Sequence, residues 1–156
     1  MLSNACKYAI RSILFLAMYV EEDEKIGVKK IAEALETPQP FLAKLLQQLA
    51  KNKLVSSHKG PTGGFFLDEH NLENSIWDIV KCIDGTVKFD QCFMGLPSCG
   101  DENPCPVHFT VAPFKKKIYA DFKDKTIKEF VAEIKQKGRF ISLKDFEAIK
   151  AIRTDV

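Results

Sequence analysis

The stretch IAEALETPQPFLAKLLQQLAKNKLVSSHKGPTGGFFL, residues 31–67, decides the fold. Ile31, Ala32 and Leu35 recur at helical spacing, so residues 28–35 read as a short helix with those three inward. Thr37-Pro38 then breaks the chain and restarts it. Threonine is able to cap the next helix, and proline has its φ preset for a first helical position. That helix is expected over 38–52. Leu42, Leu45, Leu46 and Leu49 form one apolar stripe at the i, i+3, i+4, i+7 spacing, while Gln39 stands near its start and Lys44, Gln47, Gln48 and Lys51 lie off the stripe. Two short helices joined by a tight turn, the second showing amides and cations outward, describe a helix-turn-helix. Any surface helix can share that pattern, and the next residues make it specific. Residues 54–59 suit a strand, GPTGG at 60–64 a tight turn, and 65–67 a returning strand. A hairpin beside the recognition helix is a wing, with Lys59 at its tip, where a cation could enter a narrow minor groove.

Upstream, Ile10, Leu14, Ala17 and Met18 mark a first helix over 3–20 that ends in the acidic run 21–24. Downstream, a helix begins at Asn74, carries Ile76, Ile79, Val80 and Ile83 at helical spacing, and has Gly85 as its stop. An irregular stretch rich in Gly, Pro and Cys follows over 89–106. A helical region is expected over 112–136, with Pro113 in its first turn or at a kink. Val111, Phe114, Ile118 and Phe122 have heptad-like spacing, which suits a dimer seam. Thr126 and Glu129 read as a capping box, so the helix is expected to break near Lys125 and restart. Residues 142–152 suit a last short helix. The fold class is mainly α with a small β-hairpin wing. The domain organisation is a winged helix-turn-helix DNA-binding domain over 1–88, a cysteine-rich metal-binding loop over 89–108, a dimerisation helix region over 109–137 and a C-terminal segment over 138–156.

The net charge is only +2 over 156 residues. The distribution matters more: residues 37–67 hold Lys44, Lys51, Lys53 and Lys59 and no Asp or Glu. Phosphate binding needs a local basic face rather than a basic protein. No apolar run approaches the roughly 18 residues of a membrane span, so no membrane partner is expected. Residues 9–20 contain Arg11 and lack a small-residue cleavage site, which makes a poor signal peptide. Five cysteines, an odd number unevenly clustered, point to a reducing cytoplasmic setting with thiol or metal chemistry. His58, beside Lys59, is suited to contact phosphate or solvent. No Ser/His/Asp set, phosphate-binding glycine loop or H-E-x-x-H motif is present, so nothing argues for an enzyme.

The chemistry-bearing feature is C-x6-C-x5-C-x2-H: Cys92, Cys99, Cys105 and His108. Cysteines kept for burial usually sit in helices or strands among apolar residues. Here Gly95, Pro97, Gly100, Pro104 and Pro106 bend the chain so that thiolates can converge, and thiolates bind soft metals. Structural zinc usually takes close C-x2-C pairs, and that pairing is absent. The wider gaps favour a larger object, an iron–sulfur cluster, with zinc as the alternative. Cluster-assembly proteins are then candidate partners. Cys82 lies in the 76–83 segment and reads as a small core residue. Cys6, in the first helical turn, is an open case: a helix residue, or a ligand or redox partner supplied to the other subunit's loop.

These residues together resemble the Rrf-type family of bacterial winged-helix transcriptional regulators. The markers are KYAIRSILFLA near the N-terminus, the 31–67 segment, IWDIVKCIDG after it, and the cysteine loop downstream. The resemblance covers about 3–133. It implies a homodimer on a palindromic operator in double-stranded DNA, with recognition helices in major grooves and wings in minor grooves. It also implies a cluster, [2Fe-2S] in the first instance, on the three cysteines, whose state governs DNA binding. Lys59 matches the basic wing residue. The family's Ser-x-Ser-Tyr-Leu start to the recognition helix is replaced by Pro38-Gln39-Pro40-Phe41-Leu42, so the operator sequence is not carried over. For the fourth ligand His108 matches one family option. The other, an acidic residue near the partner's N-terminus, meets Lys7 here, with Cys6 beside it. Two rival readings come from other classes: a zinc-stabilised protein-interaction module, and a redox enzyme or cluster carrier.

Overall fold

The computed structural model describes residues 1–21 and 24–138, and the helix expected over 142–152 lies outside the described residues. The elements run α1 (Asn4–Tyr19), α2 (Val28–Leu35), α3 (Gln39–Lys51), β1 (Ser56–His58), β2 (Gly64–Phe66), α4 (Glu69–Leu72), α5 (Ile76–Ile83), α6 (Gly85–Asp90), α7 (His108–Asp124) and α8 (Ile127–Lys137). The mainly helical fold with a two-stranded wing is the one the apolar periodicity predicts. Ser3 starts α1 by accepting a hydrogen bond from the Cys6 N–H at 3.0 Å, and its own N–H donates to Asp84 at 2.7 Å. Ala9, Ile13 and Leu16 of α1 then meet Ile31 and Leu35 of α2, the leucine stripe of α3, and Ile76 and Ile79 of α5 in one buried core.

Thr37 does not cap α3 as the sequence suggested. It closes α2, donating its hydroxyl to the Leu35 carbonyl at 3.1 Å, just after Glu36 turns left-handed at φ 52°. Pro38 takes the cap position of α3 with no side-chain bond, and Pro40 lies in the first turn. Neither proline has an N–H, so fewer orphan donors need a cap.

The wing pairs Ser56 with Phe66, Ser57 with Phe65 and His58 with Gly64, antiparallel. Leu54 and Val55, expected in the first strand, instead turn into the core before pairing begins. β2 gains a second partner because Phe65 and Ile26 exchange backbone hydrogen bonds at 2.9 and 3.0 Å. That approach explains Gly64: a Cβ there would lie 2.7 Å from the Ile26 carbonyl, too close for any side chain.

Several elements depart from expectation. α4 was not anticipated; buried Asn71 holds it, donating to the Lys53 carbonyl at 2.9 Å and accepting from the Asp68 N–H at 3.0 Å. Gly85, at φ 70°, does end α5, yet the chain restarts at once as α6, so the irregular stretch begins after Asp90. α7 starts at His108, four residues earlier than the 112 expected, with Pro113 inside it. The break at Lys125 and the Thr126/Glu129 capping box are both present.

The heptad-like face of α7 is divided. Ile118 and Phe122 pack against this chain's own core near Trp77 and Val80, while Phe114 stays exposed. α8 also turns inward: the Ile127 N–H donates to the Asn74 carbonyl at 2.8 Å, and Ile127, Val131 and Ile134 join the core. α8 therefore belongs to the packed body that α1 organises.

Cys6 is fully buried beside Trp77, Val80 and Phe89. Burial, helped by the negative charge of Asp84, pushes its thiol up to about 12. Two outcomes follow. Leu46→Ala, at a site with no exposed surface, should cost about 2–5 kcal/mol, read as a lower urea midpoint at unchanged slope. In the metal-free native protein, an alkylating reagent should label exposed Cys99 and spare Cys6, whose thiol stays neutral at any pH well below 12. Peptide mass spectrometry should find Cys6 labelled only after denaturation.

Candidate nucleic-acid interface and cysteine loop

α3 is positioned by its buried leucines, which leaves its other face to solvent. Gln39, Lys44, Gln47, Gln48 and Lys51 are all exposed there, and Lys59 is exposed at the wing turn. The structure thus puts every expected DNA-facing residue on accessible surface. Gln48 has a second engagement: its side-chain amide donates to the Cys82 carbonyl at 2.8 Å, tying the recognition helix to the end of α5. Cys82 itself is half-buried against the core, with its sulfur 4.0 Å from the Gln48 carbonyl.

Sequence reasoning overlooked α1 here. Tyr8 lies edge-on to Phe41 at 5.8 Å, Arg11 sits over the Tyr8 ring at 5.6 Å, and Arg11 donates to the Leu35 carbonyl at 3.3 Å. An aromatic and a cation from the first helix therefore brace the turn between α2 and α3. Helical periodicity could have flagged them, since both fall off the α1 core stripe.

The cysteine loop is delivered from two sides. α6 ends at Asp90 and presents Cys92 two residues later, with the Gly95 N–H bonded to the Cys92 carbonyl at 3.0 Å. At the far side the His108 N–H bonds the Cys105 carbonyl at 2.9 Å, so Cys105 sits against the first turn of α7. Cys92, Cys105 and His108 are buried and Cys99 is exposed. The His108 ring reaches both ways: Nδ1 lies 3.5 Å from the Cys99 sulfur, and Nε2 lies 2.9 Å from a carboxylate oxygen of Asp101. Cys99, Cys105 and His108 together line an apolar cavity of about 30 Å³.

The thiols differ electrostatically. The backbone amide of Leu96, with that of Met94 and the thiols of Cys105 and Cys99, hydrogen-bonds the Cys92 sulfur and lowers its pKa despite burial. Burial and the adjacent Cys92 charge push Cys99 up. One thiolate is favoured, and a second beside it is opposed by like charge. A bound cationic centre would remove that opposition.

Among the described residues, no three His, Cys, Asp or Glu side chains are drawn together as a ready cage for one metal ion. The donors still fit a soft centre. Three sulfurs and an imidazole share one loop, and the backbone of Leu96 and Met94 favours a thiolate at Cys92, the form that binds a soft metal. Cys6 stands apart from this loop: it is sealed in the core beside Trp77, Val80 and Phe89 and presents no thiol at the surface. No helix of the described residues is long and apolar enough to cross a membrane.

Comparison with known proteins gives this geometry a context. Residues 2–133 match the Rrf2 family, described as an iron-dependent transcriptional regulator. A protein of Aquifex aeolicus named as an HTH-type transcriptional regulator is 34% identical over 140 residues, covering 88% of this chain and 95% of its own. The HTH-type transcriptional regulator IscR of Pectobacterium atrosepticum is 26% identical over 130 residues, covering 83% of this chain and 78% of its own. Among solved structures, CymR, the global cysteine regulator of B. subtilis, superposes with a TM-score of 0.65 at 18% identity, over 85% of this chain and 97% of its own. IscR of T. potens gives 0.64 at 20% identity, over 90% and 92%. Both curated relatives are named as transcriptional regulators, a role that calls for no catalytic site. With its winged helix-turn-helix and a family match over 2–133, this chain belongs to the Rrf2 family of DNA-binding transcriptional regulators.

Proposed function

We propose that this regulator acts in the cytoplasm as a homodimer on palindromic operator DNA, and that an iron–sulfur cluster held by Cys92, Cys99, Cys105 and His108 controls its operator affinity. The observation that carries the reading is that the His108 Nδ1 lies 3.5 Å from the Cys99 sulfur in the same loop as Cys92 and Cys105, a loop whose near end is only two residues from α6. When bound, the cluster would supply a centre sensitive to oxidants, nitric oxide or cluster supply. [2Fe-2S] is the preferred type. Cluster-assembly proteins would be the source.

The chain's own residues do the rest. Lys44, Lys51 and Lys59 face phosphate, and Gln39 and Gln47 stand where base edges and backbone are within reach of α3. Cys92 is joined to α5 through the short helix α6, and α5 is joined to α3 through Gln48. Fixing the loop therefore restrains the element against which the recognition helix leans. Phe109 and Phe114, 69% and 54% exposed on α7, supply apolar surface for a second copy of the chain.

Three measurements check this. Protein purified without oxygen should be coloured and contain iron and sulfide; colourless protein with one zinc per chain would overturn the cluster assignment in favour of the zinc-stabilised alternative. At matched salt, loaded and unloaded protein should bind operator with different affinity, and equal affinity for every operator would remove the sensing role. Lys59→Ala should weaken binding to all sequences alike and reduce the slope of log K against log salt by about 1, which titrations at several salt concentrations will show.

A further inference from the structure

We infer that Asp101 is the positioning residue of the cysteine loop: it fixes the His108 imidazole with Nε2 protonated and Nδ1 presented to the thiols. The inference deepens the cluster reading above and concerns an atom assignment that the reading leaves open.

Donor and acceptor capacity sets the tautomer. An ionised carboxylate only accepts, so an imidazole nitrogen 2.9 Å from an Asp101 oxygen must be the N–H. In a neutral imidazole the other nitrogen then carries the lone pair. That nitrogen is Nδ1, and it lies 3.5 Å from the sulfur of Cys99. A histidine ligand to a metal commonly gives its second N–H to a carboxylate, which sets the tautomer and ring orientation. Here the carboxylate sits two residues after Cys99, so the turn that carries one sulfur also carries the group that aims the imidazole.

The surroundings restrict the ring further. His108 is buried, its backbone N–H is held by the Cys105 carbonyl at 2.9 Å, and Phe109 meets the ring edge-on at 5.2 Å. Asp101, by contrast, is 83% exposed. It contributes little to packing, and its replacement should leave the fold intact. Its effect is specific to the ring it faces.

The test uses the full chain with nitrogen-labelled histidine. In the metal-free protein, NMR should show His108 protonated at Nε2. Asp101→Ala should convert it to a mixture of tautomers, and Asp101→Asn, which keeps an acceptor oxygen, should restore the single form. After reconstitution with iron and sulfide, Asp101→Ala should release the cluster to a chelator about 10–100-fold more readily, and pulsed EPR of the reduced protein should report coupling to Nδ1 in the wild type. A wild-type His108 protonated at Nδ1, an Asp101→Ala variant with unchanged tautomer, or coupling to Nε2 overturns the inference. A wild-type protein with the Nε2–H form that takes up no cluster upholds the role of Asp101 and counts against the cluster reading alone.

Discussion

Helix α5 is the constraint on which both halves of the molecule depend, because one eight-residue segment has to satisfy the DNA-binding body and the cysteine loop together. Its Ser75/Asp78 capping box fixes where it starts, and Gly85 fixes where it stops. Between those points Ile76 and Ile79 enter the core shared with α1, α2 and α3, while Trp77 and Val80 form a second cluster with Cys6 and Phe89. Trp77 is the joint, meeting Phe89 of α6 edge-on at 5.1 Å and Tyr119 of α7 at 4.7 Å. Rotation of α5 in its socket would move Cys82 against Gln48 on one side and the Phe89 end of α6 on the other. Aromatic pairs of this kind add about 0.5–1.5 kcal/mol beyond their area, so the joint is stiff without being immovable.

The loop that α5 supports lacks the usual means of holding itself together. Between Asp90 and His108 there is no strand and no helix among the described residues, and Phe93, Met94 and Leu96 are exposed. Its order comes from its ends and from polar contacts around sulfur. Those contacts are in tension: amides favour a thiolate at Cys92, and that charge disfavours one at Cys99. Gathering several thiolates in such a segment is opposed by like charge, and a bound positive centre would offset that opposition.

Much of the body was legible in the sequence. The leucine stripe of α3, the glycine-rich turn of the wing and the Thr126/Glu129 cap are local signals, and the structure honours each. Failures came where a tertiary partner decides. α4 is too short for periodicity and depends on Asn71 reaching back to the Lys53 carbonyl. The spacing of Val111, Phe114, Ile118 and Phe122 describes a stripe, but only the position of Trp77 shows that Ile118 and Phe122 face inward. Gln48 reads as a surface amide until α5 is in place. The same holds at the site: cysteine spacing raised the expectation of a soft-metal loop, while the Asp101 contact to His108 needed the loop's path. Cys6 was ambiguous for want of one fact, its burial.

The link from loop to recognition helix would also limit how strong the proposed control could be through one chain. A ligand shifts an equilibrium only by its differential affinity for the two states. The Gln48–Cys82 bond is a neutral amide-to-carbonyl contact on exposed surface, worth about 0.5–1.5 kcal/mol, or roughly two- to tenfold in binding. A larger response has to come from geometry that counts twice. In a symmetric dimer, a small change in the angle of α5 moves both recognition helices and changes their spacing, and both half-sites register the mismatch. Under the proposed dimer, the exposed phenylalanines of α7, the helix that begins at His108 and packs on Trp77, would supply the seam at which such an angle becomes spacing.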